Sequence, residues 1–232
     1  MSSFLFPPFK TPGIPVAGET AHYPVNRIFC VGRNYVAHAR EMGMTVDRDA
    51  PFYFTKAPAA HAANGSRVPY PPGTENYHHE VELALAIGKP VFRADRNEAM
   101  AAIYGYACAL DMTRRDLQMA EREKKRPWDL GKDVEHSAVI AEITPASAFS
   151  GLAGKAISLT VNGETRQNAS LDEMIWKADE IVSHLSGFYH LSPGDIILTG
   201  TPAGVGPVVA GDYIEGRIDG LAPVELTLSD PE

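Results

Sequence analysis

The chain has 232 residues, of which 44% are hydrophobic and 22% charged, and its formal net charge is −8 at pH 7. This composition is typical of a globular protein and excludes a disordered, collagen-like or coiled-coil chain. The excess of acid argues against nucleic-acid binding, and no segment approaches the ~18 apolar residues of a membrane span. Two cysteines, Cys30 and Cys108, suit neither a disulfide framework nor a zinc site, so we expect buried free thiols and a cytoplasmic protein.

The first part of the chain predicts a peripheral segment followed by short strands. Residues 1–24 are punctuated by prolines, which indicates an N-terminal segment on the surface, and 25–232 then form a single domain. Residues 27–31 and 51–56 predict strands. Between them, Asn34 is placed to cap a short helix that Gly43 ends. Residues 57–77, rich in Ala, Pro and Gly, predict a loop.

The middle of the chain contains the strongest strand pattern, over residues 80–87. Asp95 and Glu98 are spaced as a capping box for a helix over 96–102. An apolar strand over 104–110 follows and ends at Asp111. A further helix is expected to open near Thr113 and to stop before Pro127.

The last third predicts mainly strands. Asn162-Gly163 suits the type I′ turn of a hairpin between 157–161 and 164–167. A helix is expected over much of 171–189, a strand over 195–199 and further strands within 213–228. Without regular βαβ alternation, this order predicts an α+β domain of several small sheets with short peripheral helices. The glycine-rich residues 200–206 lack the features of a P-loop or dinucleotide fingerprint, and no Gly-x-Ser-x-Gly elbow is present.

Two glutamates interrupt the apolar pattern of the strand over 80–87. Glu80 and Glu82 share one face with two alanines, while the alternate residues suit a core. Two unpaired carboxylates on a half-buried face would cost several kcal/mol, so they either reach solvent at an edge strand or hold a cation. With Asp111 at a strand end, the oxygen ligands suit Mg²⁺, Mn²⁺ or Ca²⁺ better than zinc. Spacing alone leaves both interpretations open.

A second candidate group is the pair His38 and Glu41, three residues apart on the expected helix. A carboxylate beside an imidazole fixes its tautomer and raises its basicity, which suits a general base. The same spacing also fits an ordinary surface pair. Lys132, in a polar stretch after a helix, carries no signal by itself.

Taken in order, several segments resemble the fumarylacetoacetate hydrolase family. They are Cys30–Tyr35, His38 with Glu41, His79–Leu83, Leu110–Thr113, Arg115–Gln118, Lys132 and Gly194–Gly206. The resemblance runs from about residue 25 to 225, and the short form is similar to the branch of fumarylpyruvate hydrolases, acylpyruvases and oxaloacetate decarboxylases. It implies mixed β-sheets rolled around a central metal site, usually in a homodimer.

The resemblance also implies roles for individual residues. Glu80, Glu82 and Asp111 match metal ligands, normally for Mg²⁺ or Mn²⁺. His38 and Glu41 match a water-activating dyad. Lys132 and Gln118 match groups that hold substrate and stabilise oxyanion charge, and Arg115 and Thr201 match positions of the substrate pocket. The expected activity is metal-dependent hydrolysis of a carbon–carbon bond in an acylpyruvate, most simply fumarylpyruvate.

Other activities are also compatible with this site, and two positions of the chain differ from the family pattern. The same site could decarboxylate oxaloacetate or hydrate or isomerise a keto acid, and a member that only binds metal or ligand is a further alternative. Lys56 is followed by Ala57 where the family often has Pro. Asp133 stands next to Lys132, near a position where the family has an aromatic residue, which puts the substrate in doubt more than the reaction class.

Overall fold

The computed structural model describes residues 4–43 and 48–232, and β-strands dominate them. In chain order the strands are β1 (Gly13–Ile14), β2 (Tyr23–Pro24), β3 (Arg27–Gly32), β4 (Phe52–Lys56), β5 (His61–Ala63), β6 (Ser66–Pro69), β7 (Tyr77–His79), β8 (Val81–Ile87), β9 (Ile103–Asp111), β10 (Thr113–Arg114), β11 (Ala138–Ile140), β12 (Thr144–Pro145), β13 (Ala156–Val161), β14 (Glu164–Ser170), β15 (Asp195–Leu198), β16 (Gly206–Val208), β17 (Tyr213–Ile218) and β18 (Val224–Ser229).

The helices are short. They are α1 (Val36–Glu41), α2 (Arg96–Ala102), α3 (Arg115–Glu123), α4 (Asp129–Lys132) and α5 (Ala178–Ser186), with 3-10 turns at Pro58–Ala60, Ala146–Ala148 and Leu171–Glu173. The capping box of α2 forms as predicted, with Asp95 and Glu98 exchanging side-chain and backbone hydrogen bonds. Among the described residues, none of the helices has the length and apolar character that a membrane crossing requires.

A mixed sheet forms the centre of the molecule, in the order β4-β3-β15-β8-β9-β11-β5, with β12 paired to β9. β8 is antiparallel to both β15 and β9, whereas β15 runs parallel to β3. A five-stranded sheet, β14-β13-β17-β18-β6, packs against it. The predicted α+β fold of mixed sheets with short helices is therefore confirmed.

The side chains of β8 alternate between its two faces as predicted, and each face belongs to a different hydrophobic core. Val81 and Leu83 point into the larger core between the sheets, whereas Ala84 and Ala86 belong to a second core on the opposite face. Because both faces of β8 are covered, Glu80 and Glu82 lie in the interior and not at a solvated edge strand.

Several local predictions need correction. The expected loop over 57–77 contains β5, β6 and the start of β7, with β5 and β6 pairing in parallel with β11 and β18. The expected helix over 171–189 is a 3-10 turn followed by α5. The helix predicted to open at Thr113 begins at Arg115, because Thr113 and Arg114 pair with β7.

The N-terminal segment is only partly a surface segment. Phe4 to Phe9 are exposed, but Ile14 and Tyr23 are buried in the second core, and β1 pairs with β2. The hydroxyl of Tyr23 donates to the carbonyl of Ile87, which ties the segment to β8. Residues 1–3 of the predicted segment lie outside the described residues.

Candidate active site

Three buried carboxylates meet where β8 and β9 lie side by side. Glu80 immediately precedes β8, Glu82 is its second residue, and Asp111 ends β9. Antiparallel pairing aligns them, and the backbone N–H of Asp111 donates to the Glu80 carbonyl at 2.9 Å. Each side chain contributes one oxygen to a group in which all lie within 4.8 Å of one another. We call Glu80, Glu82 and Asp111 the carboxylate triad.

Lys132 joins two members of the triad. Its Nζ lies 2.7 Å from Glu80 Oε2 and 2.7 Å from Asp111 Oδ2, and it also donates to Thr113 Oγ1. Burial opposes the charge of Lys132, but Asp111 and Glu80 raise its pKa above the ordinary value. The side chain is therefore an ammonium that sits at the end of α4, and not a surface lysine.

Arg115, the first residue of α3, donates from Nη2 to Glu80 Oε1 and from Nη1 to Gln118 Oε1. Burial disfavours the ionised form of Glu80. The positive charges of Lys132 and Arg115 nevertheless hold the pKa of this carboxyl below its usual range. Glu82 is different, because burial and the neighbouring Asp111 raise its pKa well above the ordinary value. The positive charge around Glu82 is thus too small to offset its burial and the charge of Asp111.

Lys56 also contacts the triad, a role that no sequence signal indicates, since only Ala57 after it stands out as a departure from the family pattern. Its Nζ donates to the Met112 carbonyl at 3.1 Å and to Ser137 Oγ at 2.8 Å. It also lies 2.9 Å from Asp111 Oδ1, an oxygen that receives no hydrogen bond of favourable geometry from the described part of the chain. Lys56 therefore anchors Asp111 from the side opposite to Lys132.

The triad fits a hard divalent cation. Its donors are all carboxylate oxygens, which Mg²⁺ and Mn²⁺ prefer. With all three carboxylates ionised, they and the three cations Lys56, Lys132 and Arg115 give a formal balance of zero. The raised pKa of Glu82 and the poorly satisfied Asp111 Oδ1 both indicate room for added positive charge. A dication would bring the formal balance to +2, which suits an anionic ligand.

His38 and Glu41 form the expected pair on α1. His38 Nδ1 lies 3.1 Å from Glu41 Oε2, and the imidazole is buried, with 7% of the residue exposed. The expected cap of this helix is absent, because Asn34 Oδ1 accepts from the N–H of Trp176 at 2.7 Å, while Asn34 Nδ2 donates to the carbonyls of Thr199 and Trp176. Asn34 thus fixes the start of the helix to the end of β15.

The glycine-rich segment after β15 contacts both groups of the site. The N–H of Gly200 donates to Glu82 Oε2 at 2.7 Å, and the N–H of Gly204 donates to the carboxylate of Glu41. Gly204 has a φ of +95°, and a Cβ there would lie 2.1 Å from the Arg166 carbonyl oxygen. Only glycine fits this backbone position.

Gln167 holds this segment against β8 and was not predicted. Its Oε1 accepts from the N–H of Val81 at 3.1 Å, and its Nε2 donates to Thr201 Oγ1 and to the Pro202 carbonyl, each at 2.8 Å. The residue is fully buried, and its Oε1 also lies 3.2 Å from His79 Nδ1. No local sequence pattern predicts this role of Gln167, because its partners are 34 to 88 residues away.

One cleft of about 450 Å³, open to solvent, contains all the predicted site residues except Glu41. The triad, His38, Lys132, Arg115, Gln118 and Thr201 line it. Glu41 lies behind this lining, where it contacts His38. Asp133 does not line the cleft, and its Oδ1 accepts from the N–H of Ala57 at 2.8 Å. The Phe54 ring, 4.9 Å from Lys132 Nζ, supplies an aromatic contact to the lysine.

Comparison with known proteins agrees with this geometry. Residues 27–229 match the family model described as "Fumarylacetoacetate (FAA) hydrolase C-terminal". The chain belongs to the fumarylacetoacetate hydrolase family. A relative from Ralstonia sp, named fumarylpyruvate hydrolase, is 53% identical over 193 residues, which cover 82% of this chain and 100% of the relative.

Two further members of the family are informative. The crystal structure of fumarylpyruvate hydrolase from Pseudomonas aeruginosa in complex with Mn²⁺ and pyruvate superposes with a TM-score of 0.94 at 45% identity, covering 98% of this chain and 100% of that one. An oxaloacetate tautomerase from Arabidopsis thaliana is 40% identical, covering 86% of this chain and 89% of the relative.

Proposed function

We propose that this protein is a metal-dependent hydrolase that cleaves a carbon–carbon bond in an acylpyruvate, R–CO–CH₂–CO–COO⁻, and that fumarylpyruvate is its substrate. The observation that carries the proposal is the convergence of the buried carboxylate triad and the His38–Glu41 pair on one cleft. The 53% identical relative named fumarylpyruvate hydrolase supports the choice of substrate. So does the Mn²⁺ and pyruvate complex of the Pseudomonas relative.

In this proposal the triad holds Mg²⁺ or Mn²⁺. When bound, such a cation supplies Lewis-acid polarisation of a substrate oxygen and stabilises the negative charge of an enolate. Burial and Asp111 raise the pKa of Glu82, and a bound cation would favour the ionised form of this carboxylate. Lys56 and Lys132 keep Asp111 in place from two sides.

His38 acts as the general base. Its Nδ1–H donates to Glu41, which leaves the Nε2 lone pair to take a proton from water. The oxygen of that water bonds to the ketone carbon distal to the carboxylate. Because Glu41 is itself held by the N–H of Gly204, the imidazole keeps one orientation during the transfer.

Lys132 and Gln118 receive the negative charge on the attacked oxygen. The three protons of the Lys132 ammonium already serve Glu80, Asp111 and Thr113, so it donates to substrate when one of these acceptors takes another partner. Collapse of the adduct breaks the bond to the CH₂ carbon, whose electron pair then takes a proton. The proton that His38 took from water passes to this carbon, and the acid R–COOH loses its proton to solvent, so the substrate and one water give R–COO⁻, pyruvate and H⁺.

Local cations make an anionic substrate acceptable to an acidic chain. The net charge of −8 opposes a keto acid at long range. Arg115 and Lys132 line the cleft, and with a bound dication the formal charge of the buried group becomes positive. Arg115 and Thr201 are proposed to hold the substrate carboxylate end.

Product analysis tests the proposal. Purified protein with Mn²⁺ or Mg²⁺ is given fumarylpyruvate, acetylpyruvate and oxaloacetate, and products are identified by NMR. Equal amounts of fumarate and pyruvate are expected from fumarylpyruvate. Turnover of none of these substrates, despite metal binding, would overturn the hydrolase and favour a protein that only binds metal or ligand.

A second candidate activity is conversion of oxaloacetate, by tautomerisation or decarboxylation. The 40% identical relatives named oxaloacetate tautomerases favour it. Enolate stabilisation serves both reactions, so the buried cations of the cleft suit either one. In the product assay, release of CO₂ or exchange of the CH₂ protons of oxaloacetate, with fumarylpyruvate left intact, would select this second activity.

We further propose that the protein works as a homodimer in the cytoplasm. Phe4, Leu5, Phe6 and Phe9 are 71 to 101% exposed in the single chain, and a second copy would cover such an apolar segment. Both cysteines are buried free thiols, which suits a reducing compartment. Light scattering during size-exclusion chromatography tests the dimer, and a mass of one chain, 25.1 kDa, would contradict it.

A further inference from the structure

The cleft continues into a larger groove that the mechanism above does not use. Both spaces are lined by Arg33, Phe54, Arg122, Trp128 and Lys132, so these residues form the junction between them. The groove is open to solvent, and the free space in and above it is about 1300 Å³. A substrate whose keto-acid end lies at the triad could therefore extend past this junction.

Aromatic rings form a continuous wall along the junction. The Phe54 ring lies 4.9 Å from Lys132 Nζ at one end. Trp128 packs 6.0 Å from Phe54 and 4.8 Å from Phe52, measured between ring centroids. At the other end, the Arg33 guanidinium lies 5.3 Å from the Phe52 ring and 5.6 Å from the Trp128 ring. The ring planes are tilted by 53 to 55° to one another, so together they offer an apolar surface along which a conjugated chain can lie.

Two arginines line the junction beside these rings. Arg33 is exposed at the end of β3, with a φ of +62° that is rare for a residue with a side chain. Arg122, on α3, donates from Nη1 to the Met42 carbonyl at 3.3 Å and contacts Met119 Sδ at 3.8 Å. These two contacts of Arg122 involve neutral acceptors, so its charge has not been neutralised by them.

The surroundings reinforce a preference for anions. Among the described residues that line the groove, five side chains are cationic, namely Arg33, Arg122, Lys125, Arg126 and Lys132, and Asp129 is acidic. Lys132 pairs with Glu80 and Asp111, and Arg126 lies 3.9 Å from Glu121, which compensates part of this charge. The lining still contrasts in sign with a chain whose net charge is −8. Lys125 and Arg126, which follow α3, thus border the groove.

We propose that Arg33 and Arg122 form a subsite for the second carboxylate of a dicarboxylic acylpyruvate. The inference rests on the proposed function and adds a preference for acyl groups that end in a carboxylate. The keto-acid end lies near Lys132 and Arg115, the conjugated chain lies along the aromatic wall, and the distal carboxylate pairs with the two guanidinium groups. Arginine suits this role because its planar fork matches a carboxylate in two hydrogen bonds.

The test compares two substrates that differ in the distal carboxylate. Values of kcat/KM are measured with Mn²⁺ for fumarylpyruvate and for acetylpyruvate, in wild type, Arg122→Gln and Arg33→Asn. Asparagine is chosen at position 33 because it tolerates the left-handed backbone. Each variant is expected to reduce the ratio of fumarylpyruvate to acetylpyruvate kcat/KM by about tenfold or more, as for loss of a hydrogen bond between charged groups.

Lys124→Gln is the matched control, since it removes one positive charge from an exposed residue at the end of α3 that lines neither space. Its ratio is expected to stay within about twofold of wild type, because exposed charges are screened by salt. Equal losses for both substrates in the arginine variants, or an unchanged ratio, would overturn the subsite and leave the hydrolase standing. Failure of the wild type on both substrates would instead overturn the proposed function.

Discussion

The N–H of Gly204 donates to the Glu41 carboxylate, at 3.1 Å from Oε1 and 3.2 Å from Oε2, and Glu41 Oε2 in turn lies 3.1 Å from His38 Nδ1. The pair on α1 is therefore oriented by a loop that is 163 residues away in sequence. This link distinguishes the pair from an ordinary surface ion pair, which has no such support.

Gly204→Ala tests this link. The left-handed φ and the 2.1 Å approach to the Arg166 carbonyl force the segment to move, so Glu41 loses its backbone donor. We expect kcat for acylpyruvate hydrolysis to fall by about tenfold or more, because a general base depends on its geometry. Calorimetry should give an Mn²⁺ affinity close to wild type. Gly211→Ala, whose added Cβ would meet open space at a similar φ, controls for strain alone.

His38→Ala removes the proposed base and leaves the triad intact. We expect kcat to fall by about 10²- to 10⁴-fold, as is typical for loss of general-base catalysis. Stopped-assay kinetics give kcat, and isothermal titration with Mn²⁺ reports the metal site. If His38→Ala abolished metal binding, His38 would have to be reassigned as a ligand.

Lys56→Met tests the buried lysine that anchors Asp111. Removal of one partner from a buried ion pair leaves an uncompensated charge, so the free energy of unfolding should fall by about 3–5 kcal/mol in metal-free protein. Chemical denaturation measures the change, and saturating Mn²⁺ should restore part of the loss. The same substitution at the exposed Lys89 should change stability by no more than about 0.5 kcal/mol. Similar effects at both positions would contradict a structural role for Lys56.

His78 predicts a pH dependence of stability. Burial, and then the neighbouring Arg115, lower the pKa of His78 to about 4, and its ring nitrogens contact Asn76 Oδ1 and Arg115 Nε. In the unfolded chain this pKa is about 6.5, so between pH 6.5 and 4 the unfolded state binds more protons and stability falls as pH falls. Relative to His78→Gln, metal-free wild type should lose stability across this window. Parallel stability curves from pH 7 to 4.5 would refute the assignment.

The carboxylate triad could be predicted from sequence because two local rules suffice. Alternation on β8 places Glu80 and Glu82 on one face, and Asp111 ends the neighbouring apolar strand. Their burial could not be predicted, because it depends on a second core, which Ile14 and Ala84 help to build from distant parts of the chain. Spacing alone therefore left a solvated edge strand open as an alternative.

The missed features share a physical cause, which is long-range pairing. Lys56 contacts Ser137, 81 residues away, and Gln167 contacts His79, 88 residues away, so neither has a local pattern. Asn34 follows the helix-capping preference in sequence, but partners 142 and 165 residues away take its side chain. Prolines and glycines in 57–77 likewise hide strands of three or four residues, which are held by pairing with β11 and β18.

Glu82→Gln offers the most direct test of the metal-centred account, with Glu75→Gln, an exposed glutamate close by in sequence, as its control. Calorimetric titration with Mn²⁺ and hydrolysis of fumarylpyruvate are measured on the same preparations. We predict that Glu82→Gln loses both metal binding and turnover, whereas Glu75→Gln matches wild type in both. Undiminished hydrolysis by Glu82→Gln, or by wild type in buffer freed of metal with a chelator, would contradict the account.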